Sequence, residues 1–373
     1  MVSTTHYLYP WDVIGDPGAV ESLREAGAQH VALAVAYHAV RAMTPSHPRH
    51  RHVMLPRTTV LLPATATYPD GLAPDHAPEH DWRRAADLLT AAGLTVSAWA
   101  VLTHVDGLEN PTRGRRVTAF DDVLDFSLCP SAPSTHEYVE ALIGEVAGAV
   151  GGASLVLESV AAMGWRHASG HDKTTGRSSA ETDAALSLCF CVHCSTRMCD
   201  AGVDVSRVRS RIRSMPVGGG ALPELLGEDA DALRALRMRE AADALAHVQR
   251  LVPAAFAVQA TAADPWYAGP AVTVDLADGL EHVTLIASAW DGDEQAIRRR
   301  DALSAAHPRS RTAAFIPLLG ATTSTAVDRI GRLASSGFDE LHLYHFGLLT
   351  PHERKGLVAV QAAADRWKET RRS

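Results

Sequence analysis

No apolar run in the chain approaches the roughly 20 residues that span a bilayer, and neither Met1 nor Ser373 lies in a lipidation signal. Membrane attachment is therefore not expected. Positive charge is not in excess either: 35 Lys and Arg stand against 43 Asp and Glu, a net charge of −8, which gives no reason to expect a nucleic-acid partner. No glycine-rich phosphate loop follows the first apolar run, where Pro10, Trp11 and Asp12 stand instead, and no nicotinamide, flavin or phosphate signature is found elsewhere. Cysteine is scarce, with five in 373 residues. An odd count, together with no hydrophobic export segment in residues 1–10, disfavours a disulfide framework and leads us to expect a reducing cytoplasm.

Four of those five cysteines form a pattern. Cys189, Cys191 and Cys194 make a Cys-x-Cys-x-x-Cys run, and Cys129 stands upstream in Leu-Cys-Pro. Four thiolates from two segments can close a tetrahedral shell around Zn²⁺ and leave no open position for water, so the expected ion is structural. The rival reading is buried, inert thiols. His193, inside the run, is an alternative ligand, and Cys199 looks spare.

Eight short β-rich apolar runs, at residues 6–11, 30–36, 95–102, 154–159, 256–261, 283–288, 311–317 and 340–346, alternate with segments of 3.6-residue periodicity. Such alternation predicts parallel βα units. With 46% hydrophobic residues the chain can bury a large core, and a single (β/α)₈ TIM barrel over residues 1–373 is the leading fold, with a doubly wound open sheet the runner-up. Two connections are too long to be simple turns, residues 37–80 after the second strand and 163–227 after the fourth. The latter shares the zinc-bearing segment, about residues 129–200. In a barrel both follow strand C-terminal ends, where active sites are built.

The strand C-terminal ends supply the candidate site: Trp11 and Asp12, Tyr37 and His38, His104, Glu158, Gln259 and Thr261, Trp290 and Asp291, and His345. Glu158 is the sharpest, a carboxyl following an apolar run, whose pKa a dry rim would raise towards general-acid use. The segment after it packs Trp165, Arg166, His167, His171, Asp172 and Lys173 together, the composition of a polar-ligand pocket. His167 and His171 are a weak metal pair, because Gly170 argues against a helix between them. His342 and His345, three apart on one strand, are expected on opposite faces. Asp291 reads equally as a barrel-mouth carboxylate and as a helix cap, with Asp293 the better cap by position.

Cys129 before a helix, an acid ending the fourth strand and then Cys-Phe-Cys-Val-His-Cys together resemble the family 42 β-galactosidases and their relatives in the large clan of (β/α)₈ glycosidases. The specific match covers residues 128–194. The resemblance implies Cys129, Cys189, Cys191 and Cys194 as ligands of a structural zinc, and Glu158 as acid/base. Two departures stand out: Leu157 precedes Glu158 where the family has Asn, and the seventh strand ends in Pro317 where the family has its nucleophile. A second carboxyl must then come from elsewhere, with Asp291 the first candidate. Three functions remain open: a glycosidase-like hydrolase acting on a sugar or glycosylated small molecule; a sugar-binding scaffold without catalysis; and a different hydrolase or lyase in which Glu158 works with His104, His171 or His345. Trp11, Tyr37, His38, Trp165, Lys173 and Trp290 are the candidate substrate contacts. Substrate, anomeric configuration and oligomeric state, a homo-oligomer included, are left open.

Overall fold

The computed structural model describes residues 3–165, 179–216, 219–252, 255–260, 266, 280 and 283–370. Eight parallel strands form its centre: β1 (Ser3–Leu8), β2 (His30–Tyr37), β3 (Thr95–Val101), β4 (Leu155–Glu158), β5 (Phe256–Ala260), β6 (Val283–Ser288), β7 (Arg311–Pro317) and β8 (Glu340–Tyr344). Each pairs with the next, and β1 pairs with both β2 and β8, so the sheet closes on itself into the expected (β/α)₈ barrel. The helices Pro17–Glu25, Trp82–Ala91, Pro133–Ala149, Asp293–Ala306, Thr323–Ser336 and Pro351–Thr370 follow β1, β2, β3, β6, β7 and β8.

Strand alternation splits the apolar residues into two cores. Leu33, Val35, Leu155, Leu157, Val258, Leu285, Ile316, Leu341 and Leu343 point outward against the helices. Tyr7, Ala32, Ala34, Trp99, Val156, Ala257, Ile286, Ala313 and Phe315 point into the lumen, where alanines make room for a few large rings. Tyr7 meets Trp99 edge-on at 4.9 Å and Phe315 at 5.1 Å between centroids, which fills the barrel below its mouth. Glu158 lies two residues beyond Val156 and shares its inward direction. Sequence parity thus aims this carboxyl into the mouth.

Two strand ends fall short of the expected limits by more than one residue. The first ends at Leu8, and Pro10–Asp12 form a 3₁₀ turn, since Pro10 has no N–H for the ladder. The eighth ends at Tyr344, and His345 caps a second 3₁₀ turn, Phe346–Leu348, by accepting from the Gly347 amide at 3.2 Å. His345 therefore packs against Tyr9, with ring centroids 4.2 Å apart, while His342 bonds the Tyr7 hydroxyl at 2.8 Å. The expectation that the two histidines face opposite ways fails because strand geometry stops between them.

Both long connections have structure. The one after β2 carries the hairpin Val40–Met43 and His52–Leu55, and Thr59–Val60 runs antiparallel to the end of β2. It is fastened by Glu145 on the helix Pro133–Ala149, whose carboxylate accepts from the Thr65 amide at 2.6 Å, the Ala66 amide at 3.1 Å and the Tyr68 hydroxyl at 2.6 Å, with His76 at 3.2 Å. After β4, the helices Ala180–Leu186, Val192–Asp200, Val205–Ser214 and Leu222–Leu226 pack a small apolar cluster of their own, containing Phe190, Met198, Ile212, Leu226, Leu233 and Trp266.

Candidate functional site

The C-terminal mouth of the barrel is built around Glu158. The Leu102 amide donates to the Glu158 carbonyl at 3.0 Å, and the Thr103 amide and hydroxyl donate to the Ser159 carbonyl at 2.9 and 2.7 Å. These bonds hold Ser159 in a left-handed conformation, φ 53°, that a non-glycine residue adopts only under such restraint. The chain turns sharply there, leaving the Glu158 side chain over the lumen. Burial pushes its pKa up to about 7, against the opposing pull of the Trp99 indole N–H, which donates to Oε2 at 3.1 Å. Tyr7, Tyr37 and Tyr344 stand close enough for the Glu158 charge to raise their own hydroxyl pKa values further, above the effect of burial.

Asp12 is the second displaced carboxyl. Burial raises its pKa to about 7, although the Tyr9 amide donates to Oδ2 at 2.7 Å. Asp12 is sealed beneath the second 3₁₀ turn, where a Cβ on Gly347 would land on its carboxyl group. His345 Nδ1 lies 3.8 Å from Asp12 Oδ2, and burial lowers the His345 pKa to about 3, so this imidazole is neutral at physiological pH.

At the ends of β2 and β3, His38 and His104 stack with centroids 4.0 Å apart. The Asp106 carboxylate lies 3.7 Å from His38 Nδ1 and 3.9 Å from His104 Nε2. His38 Nδ1 also meets the Ala39 carbonyl at 2.7 Å, and its other face stacks on Tyr37 at 4.3 Å.

The remaining sequence candidates separate clearly. Trp11 and Tyr37 are buried in the lumen wall, with Trp11 stacked on Tyr9 at 4.4 Å. Trp290 is 58% exposed at the end of β6, its ring 5.8 Å from Tyr344. Trp165 is half-buried and its amide donates to Ser187 Oγ at 2.9 Å. His171 and Lys173, with Arg166, His167 and Asp172, lie outside the described residues. Asp291 is gripped by Arg299, which donates to both carboxylate oxygens at 2.6 Å and holds the Asp291 pKa below the usual range. Neither reading of Asp291 as a cap nor that of Asp293 is met: Gly292 occupies the N-cap, and Asp293 pairs with Arg329 and Arg332.

Away from the mouth, the four expected cysteines converge. Cys129 Sγ lies 3.4, 3.9 and 3.7 Å from the sulfurs of Cys194, Cys189 and Cys191. A tetrahedral zinc with bonds of about 2.3 Å needs sulfur separations of about 3.8 Å, so the set fits a metal shell and is far too open for disulfides. Burial alone would depress the Arg116 pKa, but Cys189, Glu240, Cys129 and Cys194 together hold it up. Arg116 donates to the Met163 carbonyl at 2.9 Å, which ties this centre to the segment leaving Glu158. Cys199 is exposed and outside the cluster, as expected.

Sequence reading missed Asp106 and two of the lining tyrosines, Tyr7 and Tyr344. Asp106 stands two residues beyond His104, a spacing that was readable. Tyr7 and Tyr344 share the inward parity of their strands, but the sequence assigns neither face to the lumen, because both faces of a barrel strand are apolar.

No protein-family model matches the chain, and no curated protein matches it in sequence. Among solved structures, the catalytic domain of a β-amylase from Paenibacillus polymyxa is similar with a TM-score of 0.54 at 10% identity, covering 98% of each chain. A β-galactosidase from Rahnella sp. R3 is similar with a TM-score of 0.51 at 10% identity, over 98% of this chain and 56% of that one. At such identities the likeness is one of fold: the chain is a (β/α)₈ barrel of the kind these two proteins share.

Proposed function

We propose that this chain is a carbohydrate-active hydrolase in which Glu158 is the proton donor. The observation that carries this is an inward carboxyl at a barrel strand end, its pKa raised to about 7 by burial among tyrosines and Trp99. A carboxyl with that pKa is protonated often enough to donate to a leaving oxygen and basic enough to take a proton back. Two solved structures that share the fold bear the names β-amylase and β-galactosidase, which supports a sugar or glycoside as substrate. Trp290, exposed beside Tyr344, offers a stacking surface for a pyranose face at the rim.

The four-cysteine cluster serves this reading as a structural zinc centre, with no role for the ion in the reaction. Asp291, the expected second carboxylate, acts only if Arg299 releases it, and Asp12 is sealed from the mouth. A retaining reaction needs a second carboxyl about 5 to 5.5 Å from the first. The stacked pair His38 and His104 with Asp106 therefore favours, as a second reading, a hydrolase in which Glu158 works with histidine partners rather than with a carboxylate nucleophile. Hydrolysis of a panel of aryl glycosides and esterified sugars by wild type and Glu158→Gln tests both. Turnover that is lost in the variant, with folding intact, supports the proton-donor role; equal turnover in the two proteins overturns it.

A further inference from the structure

We propose that His38, His104 and Asp106 form a second metal site, an open one at the barrel mouth, which takes a divalent transition cation. One ring nitrogen from each histidine and one carboxylate oxygen lie within 4.8 Å of one another. Two edges of that triangle are 3.7 and 3.9 Å. A tetrahedral ion with bonds of about 2.1 Å has edges of about 3.4 Å, so the two carboxylate edges need contract only by a few tenths of an ångström, while the two rings, stacked within 22° of parallel, must turn out of that stack for both nitrogen lone pairs to meet one ion.

The donor set is two imidazoles and one carboxylate, which is suited to Zn²⁺, Co²⁺ or Fe²⁺ and leaves coordination positions for water or substrate. This distinguishes it from the closed four-sulfur shell. The setting is also right for a ligand site. The side chain of His104 is 6% exposed, whereas those of His38 and Asp106 are 19% and 27% exposed, so the cluster is walled on one side and open on the other. Asp106 is itself fixed, accepting from the Ala39 amide at 3.1 Å. That bond is the kind of outer support that orients a metal ligand, whereas His38 Nδ1 donates to the Ala39 carbonyl and must give up that bond, or turn Nε2 to the site, to ligate an ion. The site adjoins the proton donor through Tyr37, which stacks on His38 and senses the charge of Glu158. The alternative is a carboxylate bridging two stacked imidazoles with no ion between them.

The inference does not depend on Glu158 being catalytic, and the test keeps the two apart. Protein with its four-cysteine centre filled by zinc is titrated with Co²⁺, followed by calorimetry and by the visible spectrum. We expect one further equivalent, with the weak absorption of nitrogen and oxygen ligation and none of the intense thiolate-to-cobalt bands. Affinity should fall at least tenfold in His104→Ala and in Asp106→Asn, and be retained in Glu158→Gln. His38→Gln, near in shape, covers the case in which an alanine variant fails to fold. The absence of a further equivalent, or one that survives all three changes at the cluster and so belongs elsewhere, such as the stacked His47 and His50 pair, overturns the proposal.

Discussion

The Trp99 indole N–H donates to Glu158 Oε2 at 3.1 Å, and this bond is the one influence that lowers a pKa otherwise raised by burial. A hydrogen bond to the ionised form favours it. Trp99→Phe should therefore move the Glu158 pKa above its present value. If protonated Glu158 is the acid, the alkaline limb of the kcat/KM profile should move to higher pH. An unmoved limb would separate the acid from Glu158.

Glu158→Gln should lower kcat by about 10² to 10⁴, the usual contribution of a general acid. Its Tm should stay at or above the wild-type value near pH 8, because the neutral amide avoids the cost of burying a charge. Thermal melts with turnover on the active glycoside check both.

Stability should fall from about pH 5 to pH 8. Glu158 and Asp12 both have folded pKa values raised to about 7, so each binds its proton more tightly folded than unfolded. Their contribution is complete below the unfolded carboxyl pKa of about 4 and is lost as pH rises through about 7, on the order of 3 kcal/mol for each group. Asp12→Asn should flatten this slope in urea titrations. Glu145 has the opposite sign: burial raises its pKa, but the bonds from Tyr68 and Thr65 win and hold it low, so its contribution is lost on the acid side.

Glu145→Ala should cost about 2 kcal/mol, since it leaves several donors of the segment 65–76, most of them half-buried, without their acceptor. Proteolysis should then cut first in that segment while the barrel persists. Cleavage with the wild-type pattern and rate would show that the segment is held by other contacts.

Protein purified without added metal should contain about one equivalent of zinc, and Cys189→Ser should lose both the metal and thermal stability, because binding free energy at such a site is folding free energy. Freely reactive thiols at Cys129 and Cys194 in metal-replete protein would count against the assignment.

Much of this was legible in the chain itself. All the barrel limits except the two of β1 lay within two residues of the apolar runs, because β-rich runs between capped helices admit few other arrangements, and both β6 and β7 fell where expected. The spacing of Cys189, Cys191 and Cys194 pointed to the cluster they form with Cys129, and the place of Glu158 at the barrel mouth followed from the end of an apolar strand. Tertiary structure alone decided the rest. Asp291 stands at a strand end as expected, yet Arg299, eight residues on, binds both its oxygens. Local sequence cannot distinguish a mouth carboxylate from one paired to its own helix. The union of His38 with His104 and Asp106, the raised pKa of Asp12 and the neutrality of His345 arise from burial and from contacts between residues distant in the chain. Proximity and desolvation are properties of the closed barrel, and no single segment encodes them.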